Sequence, residues 1–458
     1  MAIDNKNPEF KQLHVAIVGG GLGGMAAAVA MRRAGHKVSI FERRDFKVEV
    51  GASISCAANG GKWLREWGVD PQRGRPVELM KLVMRDWETG EILNLYDLHE
   101  YEKTWGIPYY MFHRVDMHEM LLEAATSPDG PGEPASVVVD HIAKRCDPEA
   151  GIVEFENGEV IKADLVIGSD GIRSILRREI GVTPQTHSAN QTCYRCNVRK
   201  EDLEKFGLMP DATDPAIQFW GGFEKGDINR YYKIVMSPCS GGDVVSFYCF
   251  MPTEMTNHTQ EGFVFAEVPV SDIMAGDYKR LDPTAQKLIE HSIERMPWRL
   301  YVHQPYPTWH KGRVCLLGDA AHPMMPHQSQ GACTALEDAA ALGIIFSKDY
   351  GFTNNVQAGL DFYEHIRKPR ATRVQAASAR ATENLNERIG FTSLSAPDAA
   401  LAAKKGYLTV NEMNEYDMKA HIASEAHNYG NLFNASPKAT PANAKLAAEA
   451  PVPATATA

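Results

Sequence analysis

Three glycines near the N-terminus have a spacing that suits a phosphate-bearing ligand. Gly19, Gly21 and Gly24 form the pattern G-x-G-x-x-G directly after the apolar run 14–18. The first glycine permits a tight turn, the second lets a pyrophosphate approach the backbone, and the third lets a helix pack closely on the strand. The N–H groups that begin this helix would then face the phosphates. The spacing therefore predicts a dinucleotide site.

The residues around these glycines predict a strand–turn–helix–strand unit. HVAIV at 14–18 and KVSIF at 37–41 are short β-branched runs, and the alanine-rich stretch 25–34 between them has helical spacing. Glu42 and Arg43 follow the second strand, about 20 residues after the glycines, where an acid binds ribose hydroxyls. A carboxylate at this position disfavours a 2′-phosphate. The unit predicts an adenine dinucleotide, either FAD or NAD.

Two later segments place an aspartate at the end of a strand. ADLVIGSDGIRS runs from a strand into Asp170, and RVCLLGDAAH runs from a strand into Asp319, followed by a proline-rich turn and a helix that starts near Gly331. With the first motif, these segments resemble the class A flavoprotein monooxygenases, which include salicylate hydroxylase and the hydroxybenzoate hydroxylases. The resemblance extends over about residues 12–395.

This resemblance implies FAD as the cofactor and NAD(P)H as a co-substrate. It implies that Asp319 bonds the ribityl or ribose part of FAD, and that Asp170 serves both FAD and NAD(P)H. The helix that begins at Gly331 and Ala332 would point its positive end at the negative edge of the reduced flavin. Arg114 would lie beside the flavin or its pyrophosphate.

One position departs from the family pattern. The family has P-x-x-G-x-G before the last helix, and Ser329 stands here in place of the first glycine of that pattern. Serine is small, so we expect the turn to persist, although its backbone must come close to the flavin.

The resemblance implies an FAD-dependent NAD(P)H:O2 monooxygenase that hydroxylates a small aromatic or heteroaromatic substrate, such as a phenol or hydroxybenzoate, through a flavin C4a-hydroperoxide. One alternative is a secondary-metabolite flavin monooxygenase acting on an indole, quinolone or polyketide. Another is a non-catalytic carrier with a flavoprotein fold, against which the intact aspartate motifs argue. The sequence leaves the choice between NADH and NADPH open.

Four residues are candidates for the catalytic pocket. His322 and His327 flank the Asp319 turn, and either could bond a phenol; the alternative is a structural histidine bonded to loop backbone. Tyr232 and Lys233 lie on a predicted strand that resembles the family's substrate-facing strand. Alternation puts Tyr231 and Lys233 on one face and Tyr232 on the other. The alternative for this strand is a tyrosine in the core and a lysine in solvent.

Composition excludes several classes of partner. The net charge is −10, from 48 basic and 58 acidic residues, with no dense basic run, so we expect no nucleic acid. We find neither a signal peptide nor an apolar run of about 18 residues, and expect a cytoplasmic monomer or homodimer with no membrane partner. The eight cysteines are scattered. Cys193 and Cys196 are a lone C-x-x-C, which we interpret as neighbours on one strand, and no metal site is expected.

The predicted fold class is α/β. A Rossmann-like FAD-binding domain of the GR2 type receives an inserted mixed β-sheet substrate domain and is followed by a C-terminal helical region. The basic run 364–373 is predicted as a helix broken at Pro369. The predicted divisions are a disordered lead-in at 1–11, the FAD-binding domain at 12–183 and 306–395, the sheet domain at 184–305, the helical region at 396–434 and a flexible Ala/Pro-rich tail at 435–458.

Overall fold

The computed structural model describes residues 10–46, 51–207, 214–224, 227–256, 267–382 and 404–426. Its strands are β1 (His14–Val18), β2 (Lys37–Phe41), β3 (Ser53–Cys56), β4 (Val77–Glu78), β5 (Lys81–Asp86), β6 (Ile92–Asp97), β7 (Tyr110–His113), β8 (Ser136–Val138), β9 (Ala143–Asp147), β10 (Ile152–Phe155), β11 (Val160–Lys162), β12 (Leu165–Gly168), β13 (Thr186–Arg199), β14 (Ala216–Glu224), β15 (Asp227–Cys239), β16 (Val244–Pro252), β17 (Ile293–His303), β18 (His310–Lys311) and β19 (Val314–Leu316). Its α-helices are α1 (Leu22–Arg33), α2 (Ala58–Glu66), α3 (Tyr101–Trp105), α4 (Arg114–Thr126), α5 (Ile175–Glu179), α6 (Lys200–Phe206), α7 (Val270–Ile273), α8 (Pro283–Glu290), α9 (Gly331–Ile345), α10 (Val356–Arg380), α11 (Val410–Asn414) and α12 (Met418–Glu425).

A mainly parallel sheet carries the nucleotide-binding unit. Its strand order in the described residues is β18-β19-β12-β1-β2-β8, and β18 is its antiparallel member. Strand β1 pairs in parallel with β2 on one side and β12 on the other. Helices cover such sheets, so their strands are apolar on both faces. The carboxyl ends of β1, β12 and β19 therefore bring the predicted glycine, Asp170 and Asp319 turns to one edge.

A second, larger sheet has the strand order β17-β13-β16-β15-β14-β5-β6 within the described residues. We call it the large sheet. Its pairs are antiparallel, except that β14 runs parallel to β5. The sequence placed this sheet in 184–305, but β5 and β6 come from 81–97, inside the segment assigned to the FAD-binding domain. The predicted division did not anticipate these two strands.

Each face of the large sheet has its own neighbours. Tyr194, Trp220, Tyr232 and Phe247 lie on one face and pack into a core with residues of α7 and α8. The other face carries the alternate residues and looks toward the parallel sheet. Successive side chains of a strand point to opposite faces, so strand position alone sorts these residues. Cys193 and Cys196 lie on one strand, β13, as predicted, and both thiols are buried and free.

Helix α10 is continuous over 25 residues with Pro369 inside it, so the predicted break at Pro369 is wrong. An interior proline costs a helix about 3 kcal/mol, which other interactions must offset. Arg367 and Arg370, on either side of the proline, form ion pairs with the buried carboxylate of Glu337. These contacts hold both halves of α10 against α9.

The chain ends differ in part from the predictions. The lead-in was predicted to reach residue 11, yet Phe10 stacks on His36 and the Lys11 amide donates to the Thr353 carbonyl. The rest of the lead-in and the tail at 435–458 lie outside the described residues, as does part of the region 396–434. In the described ranges, no helix is long and apolar enough to cross a membrane.

Arg32 joins α1 to the end of α4. It lies near the end of α1 and is 1% exposed. Helix C-termini leave carbonyls without partners, and a guanidinium can bind several at once. Its two terminal nitrogens donate to the carbonyls of Ala124, Ala125, Ser127 and Gly132 at 2.9–3.1 Å.

We predict that Arg32→Met destabilises the fold by roughly 2 to 4 kcal/mol, because it leaves these buried carbonyls without donors. The measurement is the thermal unfolding midpoint followed by circular dichroism. Arg33→Met is the matched control, since Arg33 reaches one carbonyl, that of Glu66, at 3.4 Å. Equal midpoints for the two variants would contradict the prediction.

Candidate active site

A cavity of about 430 Å³ lies between the parallel sheet and the face of the large sheet that looks toward it. We call this the inner face of the large sheet, and the opposite one the outer face. The first residues of α1 and of α9 both line it, together with Ser53–Ser55 of β3. The N–H groups at the start of a helix have no partner within the helix, and the dipole makes that end positive. Two such ends at one cavity favour an anionic ligand there.

The glycine turn has the geometry that the sequence predicted. Gly19 has φ +102°, and a Cβ there would lie 2.4 Å from the Ser169 carbonyl oxygen. A Cβ on Gly24 would lie 2.1 Å from the Gly19 carbonyl oxygen, so α1 passes directly over the turn. A Cβ on Gly21, by contrast, would have no atom within 4 Å. The backbone at Gly21 is therefore open to a ligand.

Glu42 contacts this same turn. Its Oε2 accepts from the Gly20 amide at 2.7 Å, and its Oε1 accepts from the Arg44 amide at 3.2 Å. The carboxylate thus lies beside the glycines, as the prediction of a ribose contact requires. Arg43 is exposed and is not among the described residues that line the cavity. Its role as a cofactor contact stays a prediction.

Asp170 lies at the cavity edge but bonds protein backbone. Its Oδ2 accepts from the amides of Ile175 at 2.7 Å and Leu176 at 3.2 Å, and so caps α5. Burial raises the pKa of this carboxyl. The two backbone hydrogen bonds and a hydrogen bond with the Ser174 side chain act to lower it. Its neighbours Ser169 and Gly171 line the cavity. The geometry gives Asp170 a structural role, and its contact with FAD stays a prediction.

Asp319 and Arg114 line the cavity directly. Asp319 lies in a short 3₁₀ turn after β19, and Arg114 is the first residue of α4. The Asp319 side chain opens onto the cavity, while protein surrounds it on its other sides. This desolvation raises the pKa of its carboxyl, and the interactions with His322, Arg114 and Arg177 oppose the rise.

The turn before α9 carries its serine in a left-handed conformation. Ser329 has φ 53° and ψ 33°, the left-handed conformation that favours glycine. Its carbonyl accepts a bond from the Ser55 hydroxyl at 3.3 Å. Gly331 follows as the first residue of α9, and a Cβ there would have no atom within 4 Å. Ala332 is next and also lines the cavity.

These features fit FAD. The open backbone at Gly21 and the N-terminus of α1 suit a pyrophosphate, and Glu42 is placed for ribose hydroxyls. The open backbone at Gly331 and the N-terminus of α9 suit a negatively charged ring edge at the other side of the same cavity. Asp319 lines the same cavity, and its carboxylate can accept hydrogen bonds from hydroxyl groups.

The inner face of the large sheet supplies the rest of the lining. Its residues there combine aromatic and aliphatic surface with two cations. They are Arg195, Ile217, Phe219, Lys233, Val235, Ser237, Tyr248, Phe250 and Trp298. The Arg195 guanidinium lies 5.2 Å from the Trp298 ring centroid. The Tyr248 hydroxyl donates to the Ser53 carbonyl at 2.5 Å, which ties β16 to β3.

Two of the four predicted catalytic residues meet in this cavity. Lys233 Nζ lies 2.7 Å from His327 Nδ1, and both side chains are buried. His327 belongs to the 3₁₀ turn Pro326–Gln328 that precedes α9. The side chain of Tyr231, which the alternation pattern put on the same face as Lys233, lies outside the described residues.

The other two are not in the cavity lining, and the structure corrects both assignments. Tyr232 is 2% exposed and packs against Trp87 and Tyr278 on the outer face of the large sheet, because it neighbours Lys233 along β15. His322 is 1% exposed, and its Nε2 lies 2.5 Å from Asp338 Oδ2.

Sequence reasoning did not select Arg195, Phe219 or Tyr248 for the pocket. The alternation of side chains along the strands could have identified them. Arg195 pairs with Tyr248, and Tyr248 pairs with Val235, which lies two residues from Lys233 on β15. Paired residues share a face.

A buried cluster of ion pairs joins α9 to α10. Glu337, Asp338 and Arg367 are fully buried, and Arg367 bridges the two carboxylates at 2.8 and 2.9 Å. Arg370 forms two 2.8 Å bonds with Glu337. Positive neighbours hold the pKa of the Glu337 carboxyl at about 2, although burial acts to raise it. We call these four residues the α9 cluster.

The α9 cluster reaches the cavity by two hydrogen-bond routes. Asp338 Oδ2 accepts from the Gly318 amide at 3.1 Å, at the start of the Asp319 turn. Glu337 Oε1 accepts from Asn59 Nδ2 at 2.9 Å, and the same amide group donates to Gln330 Oε1 at 3.0 Å. Gln330 precedes α9 and lines the cavity. The cluster therefore fixes both the aspartate turn and the start of α9.

The chain matches the FAD binding domain family over residues 12–378. It is 32% identical to the FAD-dependent monooxygenase cfoG of Aspergillus candidus over 428 residues, which is 89% of this chain and 92% of that protein. It is also 32% identical to the hispidin-3-hydroxylase of Neonothopanus nambi over 376 residues, 80% of this chain and 87% of that one. A salicylate hydroxylase in complex with substrate shares the fold, with a TM-score of 0.67 and 21% identity over 94% of this chain and 99% of that one.

The chain therefore belongs to the FAD binding domain family. It is an FAD-dependent monooxygenase with the α/β fold of the flavoprotein aromatic hydroxylases, which confirms the fold class and the resemblance inferred from the three motifs.

Ser329 gives one prediction for this site. Ser329→Gly removes a left-handed strain of about 1 kcal/mol and keeps FAD affinity within about threefold, whereas Ser329→Val adds a branched side chain in that conformation and weakens FAD binding. Flavin fluorescence titration and thermal unfolding measure the two effects. A valine variant with unchanged affinity and stability would show that the turn is not held in this conformation.

The α9 cluster gives a pH prediction. The pKa of Glu337 is lowered to about 2 in the fold, so its contribution is present above about pH 4.5 and is lost as the pH falls toward 2. Glu337→Gln should cost about 3 kcal/mol at pH 7 and about 1 kcal/mol at pH 3. Denaturant unfolding at the two pH values measures this. Glu425→Gln, at a partly exposed position, is the control, and a cost independent of pH would contradict the assignment.

Proposed function

We propose that the chain is a single-component, NAD(P)H-dependent hydroxylase of a small aromatic or heteroaromatic compound. The observation that carries this proposal is one continuous cavity with a dinucleotide end and an aromatic end. Gly21 and Gly331 open onto it from the parallel sheet, and Phe219, Phe250 and Trp298 line it from the large sheet. An aromatic substrate held there lies against the start of α9.

The protein's own residues bind, orient and exclude water. Glu42, Arg114 and Asp319 would hold the polar parts of FAD, and the positive end of α9 would stabilise negative charge on its ring system. When bound, FAD would supply the redox chemistry, namely electron transfer from NAD(P)H and the activation of O2. The apolar walls hold the substrate ring and keep water from the reacting centre.

Names of similar proteins guide the choice of substrates. One relative is named for 3-hydroxylation of hispidin and one structural neighbour as a salicylate hydroxylase. Small hydroxylated aromatic compounds are therefore the first group to assay. Indoles, quinolones and polyketides form the second group, which corresponds to a secondary-metabolite enzyme.

The test is oxidation of NADH and NADPH by the purified, FAD-loaded protein in the presence of each compound. We expect a hydroxylated aromatic compound to stimulate oxidation and to gain one atom of oxygen from ¹⁸O2, as measured by mass spectrometry. Arg114→Ala, which removes a cation from the cavity, should weaken FAD binding and lower the rate at limiting FAD. Oxidation that yields hydrogen peroxide alone with every compound of both groups would overturn the proposal.

A further inference from the structure

The side-chain amide of Asn59 lies between the α9 cluster and the cavity, and its partners determine its orientation. Glu337 is an ionised carboxylate, because two arginines pair with it, so it accepts hydrogen bonds and donates none. The atom of Asn59 that lies 2.9 Å from Glu337 Oε1 is therefore the nitrogen, Nδ2. The second hydrogen of this nitrogen points to Gln330 Oε1 at 3.0 Å.

This arrangement determines the direction of the Gln330 amide. Because Asn59 donates to it, Gln330 turns its oxygen toward α2 and its nitrogen, Nε2, away from α2. Gln330 is 2% exposed and lines the cavity. Among the described residues Nε2 has no hydrogen-bond partner, and it is not one of the side-chain atoms that protein encloses completely. The N–H groups of Nε2 therefore open onto the cavity.

The backbones that carry the two amides are held in place. The Gln330 carbonyl accepts from the Thr334 amide and from the Thr334 hydroxyl, each at 2.8 Å. Asn59 lies in the first turn of α2, where its backbone amide donates to Asn414 Oδ1 at 3.3 Å. Both amides are buried, so water does not compete for their partners. The Gln330 donor thus has a fixed position beside the start of α9.

The orientation of Asn59 leaves one of its atoms without a partner. Its Oδ1 is buried and accepts no hydrogen bond within the part of the chain that the structure describes. An unpaired buried acceptor destabilises a fold, so a residue that carries one calls for an explanation. Asn59 supplies two donated bonds in return, and one of them ends at a cavity residue.

The Gln330 donor lies at the positive end of α9. Gln330 directly precedes Gly331, whose backbone is open to a ligand. The first N–H groups of α9 have no partner within the helix and point toward the same end. A ligand atom that meets these groups must accept hydrogen bonds, and negative charge on it is stabilised.

We propose that Gln330 Nε2 donates a hydrogen bond to the FAD ring at the start of α9, and that Asn59 is the positioning residue that directs this donor. A hydrogen bond to a charged acceptor is roughly twice as strong as one to a neutral acceptor, so the bond favours the reduced, negatively charged ring. Gln330 therefore raises the reduction potential of bound FAD. The inference goes beyond the proposed function, because it concerns the cofactor and involves neither substrate nor NAD(P)H.

The test is the reduction potential of bound FAD, measured by anaerobic titration of the FAD-loaded protein against a reference dye. Gln330→Met removes the donor and keeps the length of the side chain. We expect the affinity for reduced FAD to fall about tenfold relative to that for oxidised FAD, which lowers a two-electron potential by about 30 mV. Gln330→Leu also lacks the donor and should show a similar fall.

Asn59→Leu tests the positioning role. It removes the donor that holds Gln330 Oε1, so the Gln330 amide can turn its oxygen to the cavity, and the affinity ratio should fall about three- to tenfold. The double variant Asn59→Leu/Gln330→Met should show no larger fall than Gln330→Met alone, because Asn59 acts through Gln330. A merely structural role would lower the thermal unfolding midpoint and leave the potential unchanged.

Gln286→Met is the matched control. Gln286 lies on α8, next to the outer face of the large sheet, and its Nε2 donates to the Leu281 carbonyl at 2.5 Å. This variant loses a comparable amide bond away from the cavity, so it should lower stability without changing the potential. Thermal unfolding with FAD present confirms that each variant is folded.

The outcomes separate the two parts of the inference. A ratio within about twofold of wild type in both Gln330→Met and Gln330→Leu overturns the donor, and so does an equal fall in Gln286→Met. Falls that add in the double variant overturn the positioning role of Asn59. Because the measurement needs neither substrate nor NAD(P)H, its result is independent of the ¹⁸O2 assay.

Discussion

The placement of α9 depends on two adjacent carboxylates that have no access to water. Removing two charges from solvent costs several kcal/mol each, so Glu337 and Asp338 are stable there only because Arg367 and Arg370 compensate them at hydrogen-bond distance. The compensation comes from α10, and Gly318, His322 and Asn59 form further hydrogen bonds with the two carboxylates. Buried ion pairs at hydrogen-bond distance tolerate little displacement of the helices that carry them. It therefore defines where the helix starts, and with it the part of the cavity that must match a flavin ring.

The second determinant is the two-sided nature of the large sheet. Residues of one strand serve two unrelated purposes: Tyr232 packs in the outer core, while Lys233, its neighbour, lines the cavity. A single-residue shift in register would exchange them, burying an ammonium among aromatic rings. The bond from Tyr248 to Ser53 and the bond from Asn197 to the Gly51 carbonyl tie the inner face to the nucleotide-binding half. Cofactor and substrate regions thus share their walls.

Local sequence patterns predicted the elements of the fold that depend mainly on interactions between residues close in the chain. The strands at 14–18 and 37–41 occur where predicted, since their apolar runs and flanking turns leave little choice. The break at Pro369 was wrong because tertiary ion pairs outweigh a local preference. Asp170 and His322 could not be assigned from sequence, since their partners, backbone amides and Asp338, become neighbours only after folding. The meeting of Lys233 with His327 across 94 residues has the same cause.

The parallel pairing of β5 with β14 has a practical consequence for engineering. The sheet that faces the substrate is not a contiguous stretch of chain, because its edge is contributed by 81–97. Exchanging 184–305 between two relatives to transfer selectivity would join strands that evolved against different edges. A chimaera that moves both stretches together keeps each strand with its native neighbour, so selectivity is best transferred by exchanging the two stretches as one unit.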